Sequence, residues 1–293
     1  MIARHLMNTQ NDYAHSVPFM SASVPLQSRL HWTLRIALAA CFIGHGAFGI
    51  ITKPAWLPYF ALVSIDHESA YALMPLVGMM DISLGVWILL KPVRAPILYM
   101  MVWAVWTALL RPLSGEGWWE FMERAGNYGI PLALLAMSGF PKNGKEWFQR
   151  IREPVLTDNR LKQVAWILRI TTAVLLVGHG GFGAFMQKEM LIDHFHHVGL
   201  PPFGMDARLF LVLTGWFEIG LGLFVLIRPV KPVLVLILFW KIWTELLYPV
   251  SGTPVWEFVE RFGSYAAPLS LYFILDTGKP AGYFFPEKTG ARR

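Results

Sequence analysis

The chain has 293 residues, 55% hydrophobic and only 15% charged, with a mean hydropathy of +0.46 and a net charge of +6. This composition excludes a soluble globular domain, and the basic residues gather in a few loops rather than in a patch that could grip nucleic acid. One cysteine, Cys41, excludes an internal disulfide and reads as a packing residue.

Residues 1–30 are mixed and polar and lack the apolar stretch of a cleavable signal, so they read as a cytoplasmic tail lying free or on the membrane surface. Four apolar runs follow, at about 32–51, 70–90, 95–111 and 126–140, and make residues 31–140 a first four-helix transmembrane unit. The turn Lys91-Pro92-Val93-Arg94 separates the second and third runs; its proline ends one helix and can open the next. Residues 141–163 form a basic linker. A second unit, residues 164–276, carries runs at about 164–186, 207–227, 231–249 and 262–276 and has its own basic turn, Arg228-Pro229-Val230-Lys231. Residues 277–293 form a second tail. The fourth run of each unit is short for a full span and either begins within the preceding Trp-Glu-Phe segment or tilts the local bilayer fit.

The second unit repeats the first. Gly44-His45-Gly46-Ala47-Phe48-Gly49 returns as Gly178-His179-Gly180-Gly181-Phe182-Gly183 at an offset of 134, and Asp81 returns as Glu218 at an offset of 137. Residues 106–134 align with 243–271, and 17 of the 29 positions are identical, which identifies a duplication. The expected fold is an all-α integral membrane protein of two tandem four-helix bundles, about eight spanning helices. An even number of spans per unit makes the repeats parallel, related by a pseudo-two-fold axis along the membrane normal. Lys142, Lys145, Arg150, Arg152, Arg160 and Lys162 crowd the linker, whereas the opposite side carries few cations. That bias puts both termini in the cytoplasm of a bacterial-type inner membrane.

The duplicated polar residues collect on the non-cytoplasmic side. His45, Asp81, Trp106, Thr107, Glu120, Glu123 and Arg124 are matched by His179, Glu218, Trp243, Thr244, Glu257, Glu260 and Arg261. Ionisable groups at membrane depth are costly, and so tend to be paired or functional. Glycines flanking each histidine let a helix or a ligand approach the backbone. The imidazole there can ligate a metal or haem, relay a proton or hydrogen-bond a quinone oxygen; the structural alternative is an interhelical hydrogen bond to Asp81 or Glu218. Glu120, Glu123 and Arg124 have one-face helical spacing, read as an ion-pair cluster capping the bundle with Trp119 as interfacial anchor. Arg35 and Arg169 are expected to snorkel or to bind lipid phosphate. Lys241 and Glu245 replace Ala104 and Ala108 and can pair inside the membrane, as a site specialised after duplication or as a structural pair. Asp193-His194-Phe195-His196-His197 has metal-ligand residue types but reads as a loop of surface histidines.

Arg35 near the start of helix one, the Gly-rich end of that helix (Gly44 to Gly49), an acidic residue ahead of a glycine in helix two (Asp81 with Gly85, Glu218 with Gly222) and the basic proline turn resemble the DoxX-like family of small four-helix membrane proteins. The resemblance covers each unit separately, as a tandem form over about residues 30–276. It implies association with membrane redox systems, in subunits linked to quinone or thiol–disulfide chemistry. The Gly-His-Gly histidine and the Trp-Glu-Phe-x-Glu-Arg segment lie outside the general family pattern.

The leading expectation is an accessory component of a membrane oxidoreductase or electron-transfer assembly, with His45, His179, Asp81 and Glu218, flanked by Trp106 and Trp243, lining a quinone or proton-handling site. No haem-attachment motif, iron–sulfur cysteine set or nucleotide fingerprint is present, so quinone is favoured over haem or metal and electrons would come from a partner subunit. The expected partners are membrane lipids and other membrane subunits, with no nucleic acid. A non-enzymatic scaffold that binds lipid or pigment is one alternative. A small-solute or proton transporter with its path between the units, favoured by Lys241 and Glu245, is the other. Whether the chain has an activity of its own stays open.

Overall fold

The structure is a computed structural model that describes residues 24–153, 155–278 and 281–285; most of both predicted tails lies outside the described residues. The described residues are helical, with one isolated bridge between Val93 and Arg150. Helix α1 (Leu26–Ile50) starts behind Pro25, and α2 (Leu57–Ala61) is a short helix after a proline turn. Helix α3 (His67–Leu90) is capped by Asp66, whose carboxylate accepts the Ser69 amide at 3.0 Å. Helices α4 (Arg94–Leu113), α5 (Trp118–Glu123) and α6 (Ala125–Ser138) follow. Helix α7 (Asp158–Ala184) starts six residues ahead of the apolar run at 164, because Thr157 caps its first turn and Asp158 suits the positive end of the helix dipole. Then come α8 (Glu189–His197), α9 (Ala207–Ile227), α10 (Lys231–Val250), α11 (Trp256–Glu260), α12 (Phe262–Leu275) and α13 (Ala281–Phe284).

Six of these helices, α1, α3, α4, α7, α9 and α10, are long and apolar enough to cross a membrane. The two remaining apolar runs become α6 and α12, each of 14 residues. At 1.5 Å per residue each covers about 21 Å, short of a hydrocarbon core of about 30 Å. The Trp-Glu-Phe segments do not extend them as straight helices. They form α5 and α11, which break from α6 and α12 at Arg124 and Arg261.

Helices α1 and α7 are the most enclosed of the six, and with α6 and α12 they supply Leu34, Leu38, Leu134, Leu168 and Leu271 to the main core. Helices α3, α4, α9 and α10 lie outside and leave apolar side chains such as Met79, Val102, Leu213 and Phe239 exposed. An outer surface of this kind is stable only against lipid or another apolar face.

Glycine sets the closest contacts. A methyl group at Gly44 would lie 2.5 Å from the amide nitrogen of Glu260, and one at Gly178 would lie 2.2 Å from that of Glu123. Helix α11 therefore presses against α1, and α5 against α7, at the first glycine of each Gly-His-Gly. Gly126 on α6 meets Gly263 on α12 in the same way.

Arg35 and Arg169 do not snorkel. Arg35 Nε donates to the Ile88 carbonyl at 3.2 Å, and Arg169 donates to the carbonyls of Val225 at 3.2 Å and Ile227 at 2.7 Å. Each guanidinium closes the carbonyl end of a neighbouring helix, α3 or α9, where the orphan acceptors and the dipole both favour a cation.

Candidate functional site

The site begins where α1 meets α3. Gly46 and Gly49 pack on the backbone of Gly78, so the two helices approach closely and His45 faces Asp81. His45 Nδ1 lies 2.6 Å from Asp81 Oδ2. The imidazole also stacks on Trp56, with ring centroids 4.6 Å apart. Helices α7 and α9 make the same arrangement: His179 Nδ1 lies 2.6 Å from Glu218 Oε2. Each carboxylate fixes one ring nitrogen and leaves Nε2 for other work.

The two pairs differ in their surroundings. Glu218 has a second partner, Trp240, whose indole N–H donates to Oε1 at 2.7 Å. Asp81 is one methylene shorter. Its Oδ1 and the indole nitrogen of Trp103, which matches Trp240 at the offset of 137, are both buried without a hydrogen-bond partner among the described residues. Beside Trp103 lies a cavity of about 210 Å³. Trp56, Tyr59, Phe60, Trp103 and Trp106 form its aromatic walls, and His45, Asn127, Arg124 and Glu260 its polar ones. Next to His179 and Glu218 the space shrinks to about 20 Å³, bounded by Leu191, Phe195 and Leu247.

Leu191 and Phe195 of α8 fill the space beside His179, and the two halves differ in buried charge as well. Lys241 and Glu245 are fully buried on α10, 2.6 Å apart, where α4 has only Ala104 and Ala108. Glu245 is 3.1 Å from Arg261 Nε, which is also 3.1 Å from Glu123 and bonds Glu257 through its other nitrogen at 2.5 Å. The pair expected from sequence is therefore one end of a larger cluster that crosses from α10 to α5. Glu120 is bound by Lys188 and lies 3.9 Å from Arg111, while Lys53 binds Glu257 at 2.5 Å. The expected ion-pair cluster at Glu120, Glu123 and Arg124 thus exists, but it is buried and divided. Glu120 turns to Lys188, and Glu123 turns to Arg124 and Arg261.

Trp119 is half-buried. It stacks on Phe185 with centroids 5.0 Å apart and seats on Gly181, while its neighbour Trp118 is the exposed ring. Trp106 lines the cavity without bonding the histidine pair, and Trp243 packs on Trp240 with centroids 5.4 Å apart. The rings beside the carboxylates are Trp103 and Trp240. They stand one turn ahead of the aligned block, and their identity at the offset of 137 is the signal in the sequence that marks them. Trp56, Tyr59 and Asn127 carried no such signal. Tyr59 closes one side of the cavity. Burial, with its bond to Glu116, keeps its phenol above the usual tyrosine range against the pull of Arg111.

The histidines after Asp193 are helical rather than looped, in α8. His194 is buried, edge-on to Tyr248 with ring centroids 4.7 Å apart. Among the described residues no group of three or more His, Cys, Asp or Glu side chains is arranged to hold a metal ion. Comparison with known protein families, curated proteins and solved structures finds no match.

Proposed function

We propose that the chain is a DoxX-like polytopic membrane protein of two four-helix units that binds a quinone-type ring in its first unit, as an accessory component of a membrane electron-transfer assembly. In this reading α5 and α11 bend under the outer membrane surface, and the helices that follow them complete eight crossings. Both termini are cytoplasmic. A cysteine placed at Lys145 should stay unreacted with an outward-only thiol label, and reaction there would invert the topology.

One observation carries the ring site: the cavity of about 210 Å³ beside the His45–Asp81 pair. A cavity of about 150 Å³ accepts a benzene ring, so this one has room for a substituted ring between Trp56 and Trp103. Trp106 and Val63 line it and are also exposed at 40% and 49% on the apolar outer surface. A lipid-soluble ligand can enter along such a wall. With Nδ1 held by Asp81, His45 has Nε2 available to a ring oxygen, as acceptor when neutral and donor when protonated. A quinone supplies two-electron, two-proton chemistry when bound. The residues here position it, exclude water and exchange hydrogen bonds with it.

The second unit keeps the His179–Glu218 pair but not the space, so it serves packing. The transport reading draws on Lys241 and Glu245, which lie 2.6 Å apart with Glu245 also 3.1 Å from Arg261, an arrangement that favours a structural pair. The test is extraction of quinone from protein purified in mild detergent. Asp81→Asn, His45→Ala and the cavity-filling Thr107→Phe should each lower the bound quinone, and Glu218→Gln should not. Unchanged quinone in all three first-unit variants would overturn the reading.

A further inference from the structure

Glu260 is a buried carboxylate with no hydrogen-bond donor among the described residues, although the charges of Arg124 and His45 lie near it. Only 3% of the residue is exposed. Among the described residues its carboxylate has no hydrogen bond and no ion pair, and it faces the first-unit cavity. Its counterpart Glu123 is the opposite case, held by both Arg124 and Arg261. Nearby charges offset its charge but do not replace the hydrogen bonds it loses on leaving water, so a carboxylate aimed into a cavity without donors marks a place where a donor belongs.

The donor's chemistry follows from what else faces the cavity. Arg111 and Arg124 line it, so an organic cation seeking Glu260 would meet two guanidinium groups. An anion drawn to those groups would meet Glu260 itself. A neutral molecule avoids both penalties, and the only neutral group that satisfies a carboxylate is a hydrogen-bond donor such as O–H or N–H. The aromatic walls ask for a flat ring.

We propose that the cavity selects the hydroxyl-bearing form of a quinone-type ring, the hydroquinone, with Glu260 accepting its O–H. This rests on the ring site proposed above and adds the redox form it prefers. Glu260 comes from α11, whereas His45, Trp103 and Asn127 come from the first half of the chain. The site therefore needs both halves, even though only one cavity results. An oxidised ring offers Glu260 only carbonyl oxygens and leaves the carboxylate unmatched.

The experiment is equilibrium binding of tetramethyl-benzoquinone and of its hydroquinone, kept reduced under argon, to the purified full chain, read by quenching of tryptophan fluorescence. The wild type should bind the hydroquinone at least about tenfold more tightly, the least that a hydrogen bond to a charged group contributes. Glu260→Gln keeps the shape and offers an amide donor, so it should bind the quinone as well as or better than the hydroquinone. Binding of the quinone by that variant also reports an intact cavity. Glu260→Asp withdraws the carboxylate by one methylene and should keep a weaker preference for the hydroquinone. Equal binding of both forms by the wild type, or an undiminished hydroquinone preference in Glu260→Gln, overturns the role of Glu260 and leaves the ring site standing. Failure of the wild type to bind either form overturns the ring site itself.

Discussion

Trp240 donates its indole N–H to Glu218 at 2.7 Å, while the matching indole of Trp103, beside the shorter Asp81, has no acceptor among the described residues. The difference is one methylene, and it decides which pair is satisfied. Asp81→Glu should let the carboxylate reach both His45 and Trp103, as Glu218 reaches His179 and Trp240. The gain should be about 1 kcal/mol, seen as a higher Tm in detergent and a shifted Trp103 emission. Glu218→Asp should cost about 1–3 kcal/mol by orphaning Trp240. An unchanged or lower Tm in Asp81→Glu would show that the two carboxylates are not interchangeable in this geometry.

The first glycine of each Gly-His-Gly sits against backbone, which cannot swing aside as a side chain can. Gly44→Ala and Gly178→Ala should each destabilise the chain by about 1–3 kcal/mol, since the new methyl would overlap Glu260 or Glu123 main-chain atoms. Gly220→Ala is the control, because no atom outside its own helix lies within 4 Å of a methyl group there. Gly44→Ala should also disturb ligand binding, because the backbone it displaces carries Glu260. A Tm for Gly44→Ala equal to that of the control would contradict the close packing of α1 on α11.

Some of this arrangement can be read directly from the sequence. Each of these apolar helices carries an ionisable group well inside its length, at matched places in the two halves, and such groups have few partners but one another, which is why His45–Asp81 and His179–Glu218 follow from the pattern. The ends of α9 follow equally well, because Asp206 and Pro229 bracket a run that is apolar except for Arg208, Thr214, Glu218 and Arg228. Glu260 is different. It and Glu123 stand in the same local motif, and only tertiary neighbours separate them: Arg261 leans toward Glu245 and Glu123 on one side, while Glu260 faces the open cavity on the other. The short helices α2 and α8 were hidden for a related reason. They are too brief to show a period, and burial of Tyr59 and Phe195 against the longer helices holds them.

Lys241, Glu245, Arg261 and Glu123 form a chain of buried charges, and such chains are more sensitive to partial loss than to whole removal. Lys241→Ala alone should leave Glu245 with excess negative charge, and Glu245→Ala alone should remove the direct ion-pair partner of Lys241. Each should cost about 3–5 kcal/mol. The double change to alanine restores the Ala104 and Ala108 pattern of the first half and should cost less than the two single changes together. It should also open space beside His179. Thermal unfolding of the four proteins as a double-mutant cycle measures the coupling, and simple additivity would contradict the chain of charges.

His194 gives a pH dependence with a definite sign. Burial first, then the charges of His197 and Arg261, holds its imidazole below the ordinary value of 6.5. In the folded chain the ring, packed edge-on to Tyr248, takes up a proton only at a lower pH than in the unfolded chain, where it does so near 6.5. The unfolded state therefore binds more protons as pH falls below that value, and the folded state loses stability; above it the contribution is fully present. Tm should fall between about pH 7 and about pH 5. His194→Phe keeps an aromatic ring against Tyr248 and removes the titration, so the Tm difference between variant and wild type should widen in the variant's favour as the pH drops. A difference that stays constant across that range would mean that His194 is protonated equally in both states, and would contradict its burial between α8 and α10.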